Sequence, residues 1–261
     1  MHKQEQHWIN LFGHLTPSES NWHGIWTVYS PGKEVIKNFQ GIRTLSANGD
    51  NTVVTHKNQF IFSDGTTLEK QWQIEKSSCN QPNGLLHPAE PSKRAFSLLG
   101  KGVNAWVPLK LEQKQSFGIE LFLKSGDFNN SIGTAYGEMG SLERIIHMRE
   151  HLGSFPEREA PAIKNISGDW LGKKIYITSD LTVLPTEYDQ KLELDPTQGK
   201  NETYFFNDSI VLNTPKAFKP GEEFEVIAGK LITTNLYQRL RAKYDKSGNF
   251  IMLISEEFCL K

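Results

Sequence analysis

Twice in this 261-residue chain a Gly-x-Trp opens a strand and an Arg answers it much later. The first instance is Gly24-Ile25-Trp26 with Arg144, and the second is Gly168-Asp169-Trp170 with Arg239. In a small closed antiparallel barrel, a Trp of the first strand plugs one end. An Arg of the closing strand lies across its indole face, where cation–π attraction contributes about 0.5–2 kcal/mol. Two such pairs predict two barrels in tandem, the second smaller because its Trp and Arg are closer in sequence. The plainer alternative is that Trp26 and Trp170 are ordinary core tryptophans.

The rest of the chain reads as strand almost throughout. Trp8, Leu11, Phe12 and Leu15 fall at helical spacing and predict one short amphipathic helix, ended by Thr16-Pro17-Ser18. Strands are predicted at 25–29, 35–45, 53–62, 68–74, 95–99, 103–111, 117–123, 131–137 and 142–148. Residues 77–93 read as a long loop. Residues 153–164, with Pro156 and Pro161, read as a linker. A second series follows from Trp170 through 181–184, 191–194, 203–206, 210–212, 224–227, 231–244 and 250–258. Many short strands between turn signals indicate an all-β sandwich or barrel.

Composition removes several classes of partner. Lysine plus arginine total 29 and aspartate plus glutamate 30, so nothing favours nucleic acid. No run approaches the ~20 apolar residues of a membrane span. The N-terminus has no apolar signal core, and Cys79 and Cys259 make no disulfide framework. A cytoplasmic protein with two free thiols is the expectation.

Several runs match a known pattern: Gly24 to Pro31, Phe39 to Arg43, Asp64-Gly65, His87-Pro88 with Arg94, Glu120-Leu121-Phe122, Leu142-Glu143-Arg144 through Arg149-Glu150, and Ile166 to Gly172. Together they resemble an uncharacterised family found mainly in cyanobacteria and plants. The resemblance implies an all-β fold of two tandem antiparallel lipocalin-like β-barrels with a short N-terminal helix, at 1–155 and 156–261. It places the chain in the calycin group, distantly related to phycobilin lyases, and carries no established activity with it. The chain departs from the pattern at Asn129-Asn130, where an Arg would precede Ser131; that puts an anion site there in doubt.

A barrel of about eight strands is either filled by side chains or open to one small ligand. Phe39 and Arg43 share one strand face, and His56, Asn58 and Phe60 share the next. Trp72, Trp106, Glu120, Phe122 and Tyr136 lie on later strands. Aromatic walls with a few polar groups suit a small-molecule pocket, and a plain core with an Arg43–Glu120 ion pair is the alternative. His87 and Arg94, on or beside the long loop, are placed to gate the mouth and meet a carboxylate. The second half is expected to be filled.

His147-Met148-Arg149-Glu150-His151 spells an inverted zinc-protease motif. Zinc needs both imidazoles on one helical face, whereas along a strand they lie ~13 Å apart. No metal or cofactor is therefore expected, and no catalytic residue is assigned. The function expected is carriage of a small, mostly apolar ligand in the first barrel; the family context implies a tetrapyrrole, an isoprenoid or a fatty-acid-like molecule. A chromophore lyase or isomerase using His56, Glu120 or Arg43, and an interaction module with filled barrels, are the alternatives.

Overall fold

The protein, described as a computed structural model, is all-β apart from two short helices. Described are residues 2–98, 100, 102–157, 159–163, 166, 168–192 and 201–261, with 185–192 described through the backbone alone. Helix α1 (Lys3–Phe12) leads into β1 (Ser20–Tyr29), β2 (Val35–Ala47), β3 (Val53–Ile61) and β4 (Thr67–Glu75). The expected loop at 77–93 instead holds α2 (Lys76–Cys79), β5 (Asn80–Gln81) and β6 (Gly84–Leu85), before β7 (Lys93–Phe96). These elements are too short to leave a periodic signal. Then come β8 (Ala105–Pro108), β9 (Phe117–Ser125), β10 (Phe128–Tyr136) and β11 (Leu142–Leu152).

These strands form one eleven-stranded antiparallel sheet in the order β4-β3-β2-β1-β11-β10-β9-β8-β7-β6-β5. The sheet curls into a nearly closed barrel, with α2 joining its two edge strands. Trp8, Leu11, Phe12 and Leu15 are all buried, and they pack with Ala47, Val54, Ile74 and Leu85. Helix α1 thus stoppers one end of the barrel with the apolar stripe its spacing predicted, although Leu15 lies just beyond the last helical turn.

The second sheet contains β12 (Trp170–Thr178), β13 (Val183–Leu192), β14 (Glu202–Phe206), β15 (Ile210–Thr214), β16 (Phe224–Thr233), β17 (Leu236–Tyr244) and β18 (Phe250–Leu260). Its seven strands run in the order β13-β12-β18-β17-β16-β15-β14. Two expectations change here. The stretch 231–244 is not one strand but the end of β16, a turn at Thr234-Asn235, and β17. Arg239 therefore lies on the penultimate strand, and β18 is the one that returns to β12. The strand expected at 191–194 runs partly outside the described residues.

The two sheets share a core. Ile119, Leu121, Ile132, Tyr136 and Ile145 point outward from the barrel and pack against Leu212, Val226, Leu240, Tyr244 and Leu253 of the second sheet. Residues on both sides of position 155 thus form one apolar layer. The wall made by β9, β10 and β11 is consequently covered on both faces.

The expected stoppers are not formed as indole–guanidinium pairs. Trp26 stands opposite Met148, while Arg144 stands opposite Ala135 and is exposed. Four residues of strand separate Met148 from Arg144, about 13 Å. Trp26 stacks instead on Phe39, at 5.7 Å between centroids and 8° between planes. In the second sheet Arg239 lies over Phe258, 5.0 Å from its centroid, while Trp170 neighbours Tyr237 at 6.4 Å.

The glycine of the first Gly-x-Trp has a different task. Gly24 stands opposite Gly41 on β2. A Cβ at Gly24 would sit 2.8 Å from the Trp26 ring and 3.0 Å from Glu150 Cγ; one at Gly41 would sit 2.6 Å from that ring. The paired glycines form a floor on which the indole lies, and Gly24 leaves room for Glu150 to cross β1.

Candidate functional site

Between the helix stopper and the Trp26–Phe39 tier the barrel holds a partly open cavity of about 200 Å³. Its walls are mainly apolar. Phe12 comes from α1, Leu45 from β2, Ile74 from β4 and Leu85 from β6. Into them project four sets of polar groups.

The first is an ion pair that spans a strand. Arg43 on β2 donates from Nε to Glu150 Oε1 at 2.9 Å and from Nη2 to Oε2, in a two-pronged contact. The Glu150 side chain is fully buried. Asn129 Nδ2 also donates to Glu150 Oε2, at 2.6 Å. Asn129, one residue before the position where an Arg was expected, therefore completes the Arg43–Glu150 set, while Asn130 at that position faces Asp208 on the other side of the strand. Arg43 pairs with Glu150, and Glu120 has another partner.

The second set is a chain of imidazoles. The Ala89 N–H donates to His87 Nδ1 at 3.0 Å, which leaves His87 Nε2 as the protonated nitrogen. His87 Nε2 donates to His56 Nδ1 at 2.8 Å, and His56 Nε2 donates to Asn58 Oδ1 at 3.0 Å. Every ring nitrogen of the pair is engaged, and both rings are neutral. Burial pushes His56 down to about 3, helped by the nearby Arg43 charge, and pushes His87 down to about 4. The chain ties β3 to the loop after β6 and clasps the barrel where its edges come together.

The third group is Glu120 on β9, whose Oε1 accepts a 2.6 Å hydrogen bond from Ser131 Oγ. Burial raises its carboxyl above the ordinary range, against the lowering by Ser131 and Lys93. The fourth is Trp106, directly opposite Glu120 in the β8–β9 register. Its Nε1 is buried and has no hydrogen-bond partner among the described residues.

Of the residues singled out from sequence, Arg43, His56, Asn58 and Phe60 line this cavity. So do His87, Trp106, Glu120 and Phe122. Phe39 lies above it, stacked on Trp26. Trp72 lies behind the imidazoles, 5.2 Å from His56 and 5.4 Å from His87. Two residues are elsewhere. Tyr136 faces the second sheet, where its hydroxyl donates to the Pro215 carbonyl at 2.7 Å. Arg94 faces away from the cavity, since its neighbour Ala95 lines it, and donates to the Pro91 and Lys93 carbonyls. It does not gate the mouth.

Sequence reasoning missed Glu150, Met148 and Phe12. The signal for the first two was the H-x-x-E-H run itself. As a strand it alternates, and Met148 and Glu150 share the inward face. Among the described residues no group of three or more His, Cys, Asp or Glu side chains is placed to hold a metal.

A larger cleft of about 590 Å³ opens where the two sheets meet, lined in part by His14, Trp22, Lys124 and Arg239. The smaller interior cavity is the better candidate, because apolar walls and converging polar groups mark a binding site more than size does.

Fold and interior together define an all-β protein whose nearly closed barrel surrounds a small cavity and is backed by a second sheet. Residues 4–155 match the family described as domain of unknown function (DUF3598), N-terminal, and the chain belongs to that family. Its fold is similar to a crystal structure of a DUF3598 protein with unknown function from Nostoc punctiforme PCC 73102. The TM-score is 0.72 at 16% identity, over 98% of this chain and 99% of that one. The likeness shows a common fold across both sheets. Kievitone hydratase from Nectria haematococca aligns over 94% of this chain and 90% of its own at 6% identity, but with a TM-score of 0.20, which carries no argument. A comparison with curated proteins finds no match. No described helix is long and apolar enough to cross a membrane.

Proposed function

We propose that the first barrel binds one small, mostly apolar molecule without chemically changing it. The observation that carries this reading is the 200 Å³ interior space between α1 and Trp26, walled by apolar side chains and entered by four sets of polar groups. An apolar cavity of about 150 Å³ holds benzene. A molecule of one or two rings, or a short branched chain, therefore suits the volume better than a tetrapyrrole, a long isoprenoid or a fatty acid. On this reading the chain is a tandem of lipocalin-like units. The first holds the ligand, and the second, with β13 and β14 as its edge strands among the described residues, buttresses it. The imidazole chain favours carriage over acid–base catalysis, because a general base needs a free ring nitrogen and all four are occupied.

Native mass spectrometry of the purified protein, with titration of small aromatic and terpenoid compounds followed by tryptophan fluorescence, tests the reading. One-to-one saturable binding that Phe60→Trp abolishes by filling the cavity is the expected result. An absence of saturable binding across such compounds would overturn it.

A further inference from the structure

Resting on the reading of the barrel as a binding site, the polar groups of the cavity narrow the chemistry of its occupant. Two of the four sets are already satisfied by the protein, and Glu120 accepts from Ser131. Arg43 is committed to Glu150, and the imidazoles to each other, to Asn58 and to the Ala89 amide. Trp106 is the exception: its indole N–H is buried without an acceptor among the described residues. Nearly all such donors in folded proteins find a partner, so an orphan on the wall of a cavity calls for one inside it. An indole N–H only donates, so the missing group is an acceptor.

The charge of that acceptor is constrained as well. Glu120 stands directly across from Trp106 and accepts from the Ser131 hydroxyl. A ligand carboxylate there would face a second carboxyl group, and the nearby cation, Lys93 with its Nζ 5.2 Å from the Trp106 ring, is already shared between Glu120 and its ion pair with Glu90. Arg43 is neutralised by Glu150, and Arg94 lies outside the cavity. A neutral oxygen meets no such opposition.

We infer that the barrel selects compact, neutral molecules carrying a carbonyl oxygen, with that oxygen seated on Trp106 Nε1–H and the hydrocarbon body against Phe12, Leu85 and Phe122. This excludes the carboxylate-bearing ligand that His87 and Arg94 suggested from sequence.

Three probes of matched heavy-atom count separate the possibilities: acetophenone, isopropylbenzene and benzoate, titrated calorimetrically into the full-length protein. Acetophenone is expected to bind about ten-fold more tightly than isopropylbenzene, the worth of one well-placed hydrogen bond, and benzoate not measurably. Trp106→Phe should remove the acetophenone preference, bringing the ratio of the two affinities to about one whatever the change in their absolute values. If that variant does not fold, the indole N–H resonance of Trp106 in the unaltered protein serves instead, moving with acetophenone and not with isopropylbenzene. Equal affinity for the ketone and the hydrocarbon, a preference that survives Trp106→Phe, an indole resonance unmoved by acetophenone, or tight benzoate binding would overturn the inference while leaving the binding site standing. Failure of all three probes to bind would remove both.

Discussion

The two sheets both bury an arginine–glutamate pair beside an aromatic cluster, and they build it differently. In the first, Arg43 on β2 reaches Glu150 on β11 across the intervening β1, over the bare backbone of Gly24. In the second, Arg239 on β17 meets Glu256 on the adjacent β18, directly opposite in register, with Arg241 and Glu225 extending the network. There the guanidinium of Arg239 rests on Phe258, in a cluster that includes Trp170 and Tyr237. A pair that spans a strand sets its charges inside the barrel and holds three strands in register. A pair between neighbours leaves the ring cluster to fill its own surface. The same residue types thus frame a cavity in one sheet and a packed face in the other.

Acid should break this comparison most visibly. All eight histidines lie before residue 152. Burial lowers His7, His87 and His147 to about 4 and His56 to about 3. A group depressed in the folded state binds its proton more readily once unfolded. The stability it contributes is complete above pH 6.5 and drains away as pH falls toward 4, by up to about 1.4 kcal/mol per pH unit for each imidazole. Hydrogen exchange between pH 7 and 4 should show amides of β1–β4 losing protection before those of β15–β18. Simultaneous loss would mean that the shared core dominates over the histidines.

Next in size is the strand-spanning pair. Glu150→Ala leaves the largely buried Arg43 without its partner and Asn129 without its acceptor. It should cost about 3–5 kcal/mol by urea unfolding. Exchanging the pair for Leu at both positions should recover most of that loss. A cost under about 1 kcal/mol for Glu150→Ala would show that Arg43 escapes to solvent. Gly24→Ala should be smaller, about 1–3 kcal/mol, because the added methyl meets both the Trp26 ring and Glu150. A shift in tryptophan emission should accompany it. A neutral result would show that the indole has space to move. Smallest is Lys3→Ala. The 2.9 Å ion pair between α1 and Asp180 is half exposed on both sides, and its loss should change stability by about 0–1 kcal/mol. A larger effect would mean that this contact fastens the helix stopper to the second sheet.

The fold was legible where one face of a strand is wet. His56, Asn58 and Phe60 could be set together because β3 alternates and its other face is more polar. The helix announced itself through Trp8, Leu11 and Phe12. Legibility failed where both faces are covered. In β10 nearly every residue from Asn129 to Tyr136 is buried, since one side borders the barrel interior and the other the second sheet. The alternation that would have turned Tyr136 outward is therefore absent. Arg144 was misplaced for another reason: a distance along a strand had to be judged without its register. The turn between β16 and β17, Thr234-Asn235, lacks the glycine that marks most hairpins, so two strands read as one. Glu150 was hidden inside a motif associated with helices and zinc.

The partition between the cavity and the second sheet is a single strand thick. Glu120 and Phe122 look into the void, and their neighbours Ile119, Leu121 and Leu123 press on the far layer. Whatever swells or empties the chamber pushes on that shared membrane-thin bulkhead, and the neighbouring sheet must register the strain. The solvent-facing thiol of Cys259 on β18 offers a place to attach a dye and listen from the other side.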